Sequence, residues 1–539
     1  MTNRRSFLTA LGAGYALASQ SFGQAQRATT RAAAPPRNSE LFFTAETTYG
    51  KVQGMQNSGI KEFKGIPYGE STAGKNRFMP PQKPAAWTGV RECLAYGQIS
   101  PQTISPPTSD YSQLIQWDLH YGTGMGEDVL TLNVWTPAIK DGGKRPVMVS
   151  FHGGGFATGS GNGPQYDGTQ LSKLTDSVVV TVNHRLASFG YLHLADLGAP
   201  PEFAYAGVAG MMDLVASLHW VRDNIENFGG DPAKVMIFGQ SGGGAKTSTM
   251  LAIPSAKGLF RAAGIQSGST IRSSTPDTAT KSTELLLAKL GINKSNIADL
   301  QKISWQQMLE AQTSLQGATF SPVVDGKILP HHPFDPTAPP ESADVPIIIS
   351  NTLEDAALRL TNFDLTEEGL RTMMNQRYGA KAEPMLAMYR ARYPQKSAFL
   401  IQAQIDTDSA ARRSAVTQAE RKSSAGKAPA YMYLWTFAST GFGGKFGAVH
   451  GTDVSATFNN YRDGVGGTGS EEERALWGRF ATTWVTMARE GNPNNSKIPN
   501  WPGYDANQRA TMIFDREVRV ENDPRSEIRK FWAEQGQRG

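Results

Sequence analysis

Short apolar runs that end in polar or glycine-rich turns recur along the chain. Three of them have the length of buried strands: Pro146–Phe151, Val235–Phe238 and Val345–Ile349. An uninterrupted apolar run of this length is typical of a strand that is covered on both faces, as in a parallel sheet between helices. Helical stretches are interleaved with such runs. The pattern therefore predicts an α/β fold, with a central, mostly parallel sheet and helices on both faces.

Two further segments have helical patterns. Ser470-Glu-Glu-Glu473 is a capping-box start for a helix that runs to about Glu490, where Gly491 and Pro493 end it. The stretch Ser274 to Leu315 also has a helical pattern. We expect it, together with Pro101 to Gly126, to form insertions that wall a gorge beside the sheet.

The second apolar run leads directly into Gly239-Gln-Ser-Gly-Gly243, which places Ser241 in a G-x-S-x-G frame. A strand that turns sharply into a helix lifts the serine Oγ clear of the backbone, and Gly239 and Gly243 supply the room for that turn. The first N–H groups of the helix would then point at the site, where they can hold a developing oxyanion. A Gly/Ser-rich turn without chemistry is the simpler alternative.

The first apolar run leads into His152-Gly-Gly-Gly-Phe156. Consecutive glycines cost backbone entropy on folding, so their presence indicates a conformational requirement, here backbone N–H groups aimed at a ligand oxygen. We expect Gly154, Gly155 and the amide of Gly242 to be oxyanion donors, although a flexible surface loop is the alternative. His152 precedes these glycines and is predicted to support the loop rather than to act as a base.

A hydrolase with this strand–serine–helix turn orders its catalytic groups as nucleophile, acid and histidine along the chain. Only His331, His332 and His450 follow Ser241. The first two lie in a proline-bounded loop ahead of every good acid candidate. His450 lies on a glycine-flanked loop that could deliver an imidazole to a cleft, so it is the predicted general base.

The acid is expected just past the third apolar run, where Glu354 and Asp355 are both available. Carboxylates are also common at solvated helix N-termini, where the helix dipole favours them. We expect one of the two to occupy such a position while the other faces His450. The residues alone leave open which carboxylate has which role.

Taken together, these motifs resemble those of the type-B carboxylesterases, the family that includes acetylcholinesterase and bacterial p-nitrobenzyl esterases. The resemblance runs from about Tyr49 to Trp532. It implies an α/β-hydrolase fold with insertions around an active-site gorge, and a serine carboxylic-ester hydrolase that acts through an acyl-enzyme on a small or medium organic ester, without cofactor or metal. The segments that carry it are Phe63–Tyr68, Arg77–Pro81, Glu127–Val134, His152–Phe156, Val182–Leu186, Trp220–Ile225, Phe228–Pro232 and Gly239–Gly243.

The resemblance assigns roles to residues of this chain. Ser241 matches the family's nucleophile, and His450 matches its histidine. The family's oxyanion hole is matched by Gly154, Gly155 and Gly242. Asp355, rather than Glu354, falls at the acid position, where most members have a glutamate before a glycine. Ser267 resembles a serine that lies near the histidine. The pairs matching structural ion pairs of the family are Arg77 with Glu127 and Arg185 with Asp213.

The chain departs from the family at two places. Ser100 and Val129 stand where many members have a disulfide, and the single cysteine, Cys93, has no partner within the chain. Gln240 and Gly242 flank the serine, where glutamate and alanine are commonest. The extra glycine is expected to keep the N–H donor and to loosen the turn slightly.

The N-terminus predicts export. Asn3-Arg-Arg-Ser-Phe-Leu8 precedes a short apolar stretch, which is typical of a twin-arginine signal peptide over residues 1–25. An uncleaved membrane anchor is the alternative, but the apolar run is short for a bilayer. Residues 26–40 are expected to be a disordered linker, and residues 41–535 a single catalytic domain. The predicted location is the bacterial periplasm or the exterior.

Composition narrows the choice of partners. A formal net charge of +5 on 539 residues gives no indication of nucleic-acid binding. Paired-cysteine metal spacings and phosphate loops are absent from the sequence. The expected partner is a small-molecule ester, with no stable membrane insertion, and the protein is expected to be a monomer or a homodimer. Alternatives are an amidase, lactonase, thioesterase or acyltransferase with the same triad, or a non-catalytic binding module.

Overall fold

The computed structural model describes residues 41–104, 109–115, 124–461 and 469–535. Within these residues a single large sheet runs through the molecule. Its strands are β1 (Phe42–Thr47), β2 (Gly50–Asn57), β3 (Ile60–Pro67), β4 (Val90–Glu92), β5 (Thr131–Thr136), β6 (Arg145–Phe151), β7 (Val178–Val182), β8 (Gly230–Gln240), β9 (Ala262–Gln266), β10 (Ile347–Thr352), β11 (Ala430–Trp435), β12 (Ala510–Phe514) and β13 (Arg519–Asn522).

The centre of the sheet is parallel. Strands β7, β6, β8, β9, β10, β11 and β12 lie side by side in that order, and every neighbouring pair among them is parallel. Antiparallel strands extend the sheet on both margins, through β5, β3, β2 and β1 on one side and β13 on the other. The predicted mostly parallel sheet is confirmed.

Helices supply the crossover connections that parallel strands require. They are α1 (Asp110–Ile115), α2 (Thr169–Thr175), α3 (Ala187–Tyr191), α4 (Ala209–Asn224), α5 (Gly242–Met250), α6 (Pro276–Leu290), α7 (Trp305–Thr313), α8 (Glu367–Tyr378), α9 (Ala382–Arg392), α10 (Ala398–Thr407), α11 (Arg413–Ala425), α12 (Thr452–Thr457), α13 (Glu471–Glu490) and α14 (Ser526–Glu534).

The apolar runs are continuous because both faces of the sheet are buried. Along β6, Val147 and Val149 pack into a cluster that includes Leu214 of α4. Met148 lies between them in sequence but points to the opposite face, into a cluster that includes Trp484 of α13. Successive strand residues alternate between faces, so a strand with helices on both sides is apolar at most of its positions.

Several local predictions are confirmed. Helix α13 begins after a capping box in which Ser470 and Glu473 exchange hydrogen bonds, and it ends at Gly491 in a left-handed conformation. The ion pair of Arg77 with Glu127 is buried, with an N–O distance of 2.6 Å. The second pair, Arg185 with Asp213, is also buried and has the same N–O distance of 2.6 Å.

Cys93 is buried and unpaired, and burial raises the pKa of its thiol to about 12. A thiol in that state is a packing residue rather than a nucleophile, because only the thiolate reacts. Without a disulfide, stability comes from the core, which is extensive at this chain length.

The residues from Leu41 onward form one compact unit. The signal peptide and linker predicted over residues 1–25 and 26–40 lie outside the described residues. The segment Ser274 to Leu315 contains α6 and α7 and lies between β9 and β10, as an insertion would. No helix among the described residues has the length and apolar character to cross a bilayer.

Candidate active site

Three neighbouring strands end at the same edge of the sheet and bring the candidate residues together. Gln240, at the end of β8, is in register with Gln266 of β9, which is in register with Ser350 of β10. Ser241 follows β8 directly, and its backbone N–H donates to the Gln266 carbonyl at 2.8 Å. Asp355 lies just past β10. The carboxyl edge of a parallel sheet is where α/β folds place their binding sites.

Ser241 has a backbone conformation that side chains rarely adopt, with φ 58° and ψ −122°. The turn is forced by close packing: a Cβ at Gly243 would overlap the carbonyl oxygen of Phe151, and a Cβ at Gly239 would lie 2.5 Å from the Gly243 carbonyl carbon. Strain of this kind persists only where surrounding structure over-determines it. The predicted turn from β8 into α5 is therefore present, with Ser241 at its apex.

Asp355 and His450 form a buried pair. Asp355 Oδ1 lies 2.8 Å from His450 Nδ1. Ser267 Oγ donates to Asp355 Oδ2 at 2.6 Å, and Thr352 Oγ1 donates to the same oxygen at 3.0 Å. His331 and His332 lie elsewhere, in contact with Glu341 and with the Ser273 backbone respectively.

The electrostatics of this pair stabilise the charged form of each group. Burial by itself would raise the pKa of Asp355, but the His450 charge and the hydrogen bonds from His450, Ser267 and Thr352 outweigh burial and lower it. Burial by itself would lower the pKa of His450, but the Asp355 carboxylate outweighs burial and raises it. An imidazole in this setting can accept a proton during reaction and hold it in place.

Glu354 faces away from His450 and is fully buried. One carboxylate oxygen accepts from Lys396 Nζ at 2.6 Å and from Gln404 Nε2 at 2.7 Å, and the other accepts from the Ala448 N–H at 2.8 Å. The expectation that the second carboxylate would lie at a solvated helix start is wrong, because Glu354 precedes a short 3₁₀ helix but has no contact with solvent. Glu354 instead anchors the loop that carries His450.

The glycine loop after β6 lies opposite the start of α5. Gly154 and Gly155 have positive φ angles of 89° and 63°, and their N–H groups have no protein acceptor among the described residues. Gly242 stands in the first turn of α5, where backbone N–H groups have no intrahelical partner. A Cβ on Gly242 would overlap the backbone of Gly155. The Gly155 backbone thus fills the space that a side chain at Gly242 would need, and the expected loosening of the turn stays a prediction.

Several residues that contact the site were not singled out by any pattern in the sequence. The Tyr111 hydroxyl donates to the His450 carbonyl at 3.1 Å, and Thr352 bonds Asp355. His152 is buried, and its carbonyl accepts a hydrogen bond from Lys246 of α5. Lys246 is different, because a charged residue in a helix that has to start against the sheet is unusual and could have been noticed in the sequence. Among the described residues, no three side chains of the metal-ligating types converge on a common point.

The carboxyl edge of this sheet combines a serine at a strained strand-to-helix turn, a buried histidine–carboxylate pair and a facing glycine loop. This combination defines an α/β-hydrolase site. The model of the carboxylesterase family matches residues 43–532, and the chain belongs to that family. The resemblance seen in the sequence is confirmed, and the protein is a carboxylic ester hydrolase.

Individual relatives agree with this placement. The para-nitrobenzyl esterase of Bacillus subtilis (strain 168) is 34% identical over 90% of this chain and 97% of its own. The crystal structure of a Geobacillus stearothermophilus carboxylesterase superposes with a TM-score of 0.77 at 34% identity, covering 91% of this chain and 99% of that one. An esterase from Clostridium hathewayi that can hydrolyse aliphatic aromatic polyesters superposes with a TM-score of 0.79 at 29% identity, covering 91% and 98%.

Exchanging the two adjacent carboxylates one at a time should separate their roles. Asp355→Asn should lower kcat by about 10⁴-fold, because an amide cannot hold the imidazole in the reactive tautomer. Glu354→Gln should retain far more activity but lose about 1–3 kcal/mol of stability, because Lys396 loses its buried partner. Kinetics with p-nitrophenyl butyrate and thermal melts measure both effects. The reverse ranking of the two kcat values would exchange the assignments.

The pH profile should follow the His450 imidazole. Only the neutral imidazole accepts a proton, and Asp355 raises its pKa above the usual 6.5. The value of kcat/KM should therefore fall as pH drops through an inflection above 6.5, and Asp355→Asn should shift that inflection downward. A profile measured from about pH 5 to about pH 9 covers the imidazole titration. An inflection that stays in place in Asp355→Asn would contradict the pairing.

Gly242→Ala should push the glycine loop away from α5. The added methyl overlaps the Gly155 backbone, and a displacement of about 1 Å in such a site can cost about 100-fold in rate. Gly478→Ala is the matched control, because it lies within α13 with open space around its Cβ position and should be neutral or slightly stabilising. Steady-state kinetics and thermal melts of both variants test this prediction. Equal kcat values for Gly242→Ala and Gly478→Ala would show that the loop is not displaced.

Proposed function

We propose that the chain hydrolyses carboxylic esters through an acyl-enzyme formed on Ser241. The observation that carries the assignment of roles is the 2.8 Å contact of His450 Nδ1 with Asp355. It leaves His450 Nε2 without a protein partner among the described residues, so this nitrogen is free to take the serine proton. The strained turn at Ser241 and the unpaired glycine amides support the same roles.

The proposed reaction has two similar halves. Ser241 Oγ attacks the ester carbonyl carbon while His450 Nε2 takes the hydroxyl proton, and Asp355 stabilises the imidazolium. The carbonyl oxygen becomes an oxyanion held by the N–H groups of Gly154, Gly155 and Gly242. Collapse of the tetrahedral intermediate breaks the bond to the alcohol, which leaves with the proton from His450.

The second half uses water in place of the serine. His450 takes a proton from a water molecule, which attacks the acyl carbon of the acyl-enzyme. The same N–H groups hold the second oxyanion. The acid then leaves, and the proton returns from His450 to Ser241 Oγ. No cofactor or metal is required for any of these steps.

A cavity beside the glycine loop supports a small or medium organic ester as the substrate class. It measures about 380 Å³, which is at the lower end of the range for small-molecule sites. Its apolar walls are formed by Phe156, Ala157 and Phe320. It is also lined by Gln312 of α7 and by Thr103, which belong to the two segments that were expected to wall a gorge. One relative is named for p-nitrobenzyl esters, so an aryl or benzyl ester is a reasonable first substrate.

None of the contacts described above favours one of the other chemistries that share this triad. An amidase, a lactonase, a thioesterase or an acyltransferase would use the same oxyanion donors. The relatives reported above are esterases or carboxylesterases, and an intact serine, histidine and carboxylate set argues against a non-catalytic binding module.

We further propose that residues 41–535 are the catalytic domain and that the protein is exported. Arg4 and Arg5 ahead of Phe7 and Leu8 support the twin-arginine route to the periplasm or exterior. Residues 26–40 would serve as a linker. The protein is expected to be a monomer or a homodimer.

Hydrolysis of p-nitrophenyl esters from acetyl to dodecanoyl tests the function. Ser241→Ala should lower kcat by about 10⁵-fold or more without loss of folding. Ser269→Ala is the matched control, because the Ser269 hydroxyl is buried with no hydrogen-bond partner among the described residues, and its removal should leave turnover unchanged. The preferred acyl length reports the depth of the site that takes the acyl chain.

Two outcomes would contradict this proposal. Substantial turnover by folded Ser241→Ala would remove Ser241 as the nucleophile. Faster hydrolysis of a p-nitroanilide than of the matching p-nitrophenyl ester would replace the ester by an amide as the substrate class.

A further inference from the structure

Helix α5 carries a buried lysine directly behind the glycine loop. Lys246 lies in the second turn of α5 and has no solvent exposure. Its Nζ donates to the carbonyl oxygen of His152 at 2.8 Å. Within the described part of the chain, Lys246 has no ion pair with a carboxylate. A buried cation without a counter-charge is costly, so its presence needs a reason other than packing.

The surroundings of the ammonium are uncharged or cationic. The imidazoles of His152 and His184 stack with their centroids 5.0 Å apart, and the Phe156 ring lies 5.9 Å from Lys246 Nζ. Burial holds the pKa values of both imidazoles well below their ordinary range, and the Lys246 charge lowers them further. Beyond His184 lies Arg185, which Asp213 neutralises. None of these neighbours is an unpaired carboxylate, which is the usual partner of a buried lysine.

Burial also lowers the pKa of Lys246 itself, to about 7. The unfolded lysine keeps its proton to about 10.5, so folding releases a proton between these two values. The cost of the buried charge is therefore full below pH 7 and shrinks as pH rises. Both the ammonium and the neutral amine have N–H donors, so the bond to the His152 carbonyl is available in either state.

The bond that Lys246 makes joins the nucleophile helix to the oxyanion loop. Three hydrogen bonds hold two peptide groups of that loop, His152–Gly153 and Gly154–Gly155. The His152 carbonyl is held by Lys246, the Gly153 N–H donates to the Tyr166 hydroxyl at 3.0 Å, and the Gly154 carbonyl accepts from the Thr158 N–H at 3.0 Å. Of the three, only the Lys246 bond comes from α5, the helix that directly follows Ser241.

We propose that Lys246 is a positioning residue for catalysis: its buried amino group fixes the His152 carbonyl and so holds the Gly154 and Gly155 N–H groups at the correct distance from Ser241. The idea rests on the proposed function, because it requires that these amides stabilise an oxyanion. A misplacement of about 1 Å in such donors can cost about 100-fold in rate.

Lys246→Met tests this role, because methionine is an unbranched side chain only one atom shorter than lysine and has no donor. We expect kcat with p-nitrophenyl butyrate to fall about tenfold or more while KM changes by less than about threefold. The inhibition constant of an alkyl trifluoromethyl ketone, whose adduct mimics the oxyanion, should rise by the same factor as kcat/KM falls. Active sites are counted by fluorophosphonate labelling, so that unfolded protein does not enter the rates.

Lys422→Met is the matched control. Lys422 of α11 is also buried, and its Nζ also donates to backbone carbonyls, those of Ser342 at 2.8 Å and Ala343 at 3.0 Å. A merely structural loss should appear in both variants as a change in Tm, with kcat per labelled site unchanged. Lys246→Leu, which also lacks a donor, replaces Lys246→Met if the methionine variant does not fold.

The pH dependence of stability supplies a second readout. The difference in Tm between Lys246→Met and the wild type should be most positive below about pH 7 and should fall as pH rises, because the wild type then loses the buried charge. A difference independent of pH would contradict a buried lysine that is charged at low pH.

The outcomes separate this idea from the function on which it rests. Wild-type kcat and inhibitor affinity per labelled site in Lys246→Met would overturn the positioning role while leaving Ser241 as nucleophile. An equal loss of kcat in Lys422→Met would overturn it as well. Turnover by Ser241→Ala would instead overturn the proposed function itself.

Discussion

The close approach of the serine turn to strand β6 is the constraint on which the rest of the site depends. A side chain at Gly243 would meet the carbonyl of Phe151, and one at Gly239 would meet the turn itself. Only glycine at both positions lets α5 begin directly beside the end of β6. Because β6 also leads into the glycine loop, this single contact brings the hydroxyl of Ser241 and the loop amides to one place. The unfavourable backbone of Ser241 is the cost of that arrangement.

Two adjacent carboxylates divide the placement of His450 between them. Asp355 orients the imidazole ring, whereas Glu354 holds the Ala448 N–H just ahead of it and so fixes the backbone of the loop. Neighbouring residues of one tight turn thus control both the orientation and the position of the His450 imidazole. Each buried carboxylate has its own basic partner, His450 for Asp355 and Lys396 for Glu354.

Local features of the sequence predicted those parts of the molecule that depend on local structure. The apolar runs indicated β6, β8 and β10, and the residues at their carboxyl ends included Ser241, the glycine loop and the two acid candidates. His450 could be singled out by chain order. In contrast, the burial of Glu354 depends on Lys396 and Gln404, which lie on a distant segment that no local pattern links to it. The fit of Gly242 against Gly155 likewise depends on a contact between two loops.

The buried thiol of Cys93 has a practical consequence for experiments on this protein. Maleimides and other alkylating probes react with an accessible thiolate, and Cys93 stays protonated and shielded by the core at neutral pH. Because the chain has one cysteine, an engineered surface cysteine would be the single reactive attachment point on the native fold. Fluorophores or spin probes could then be placed at a chosen position without first replacing the native residue.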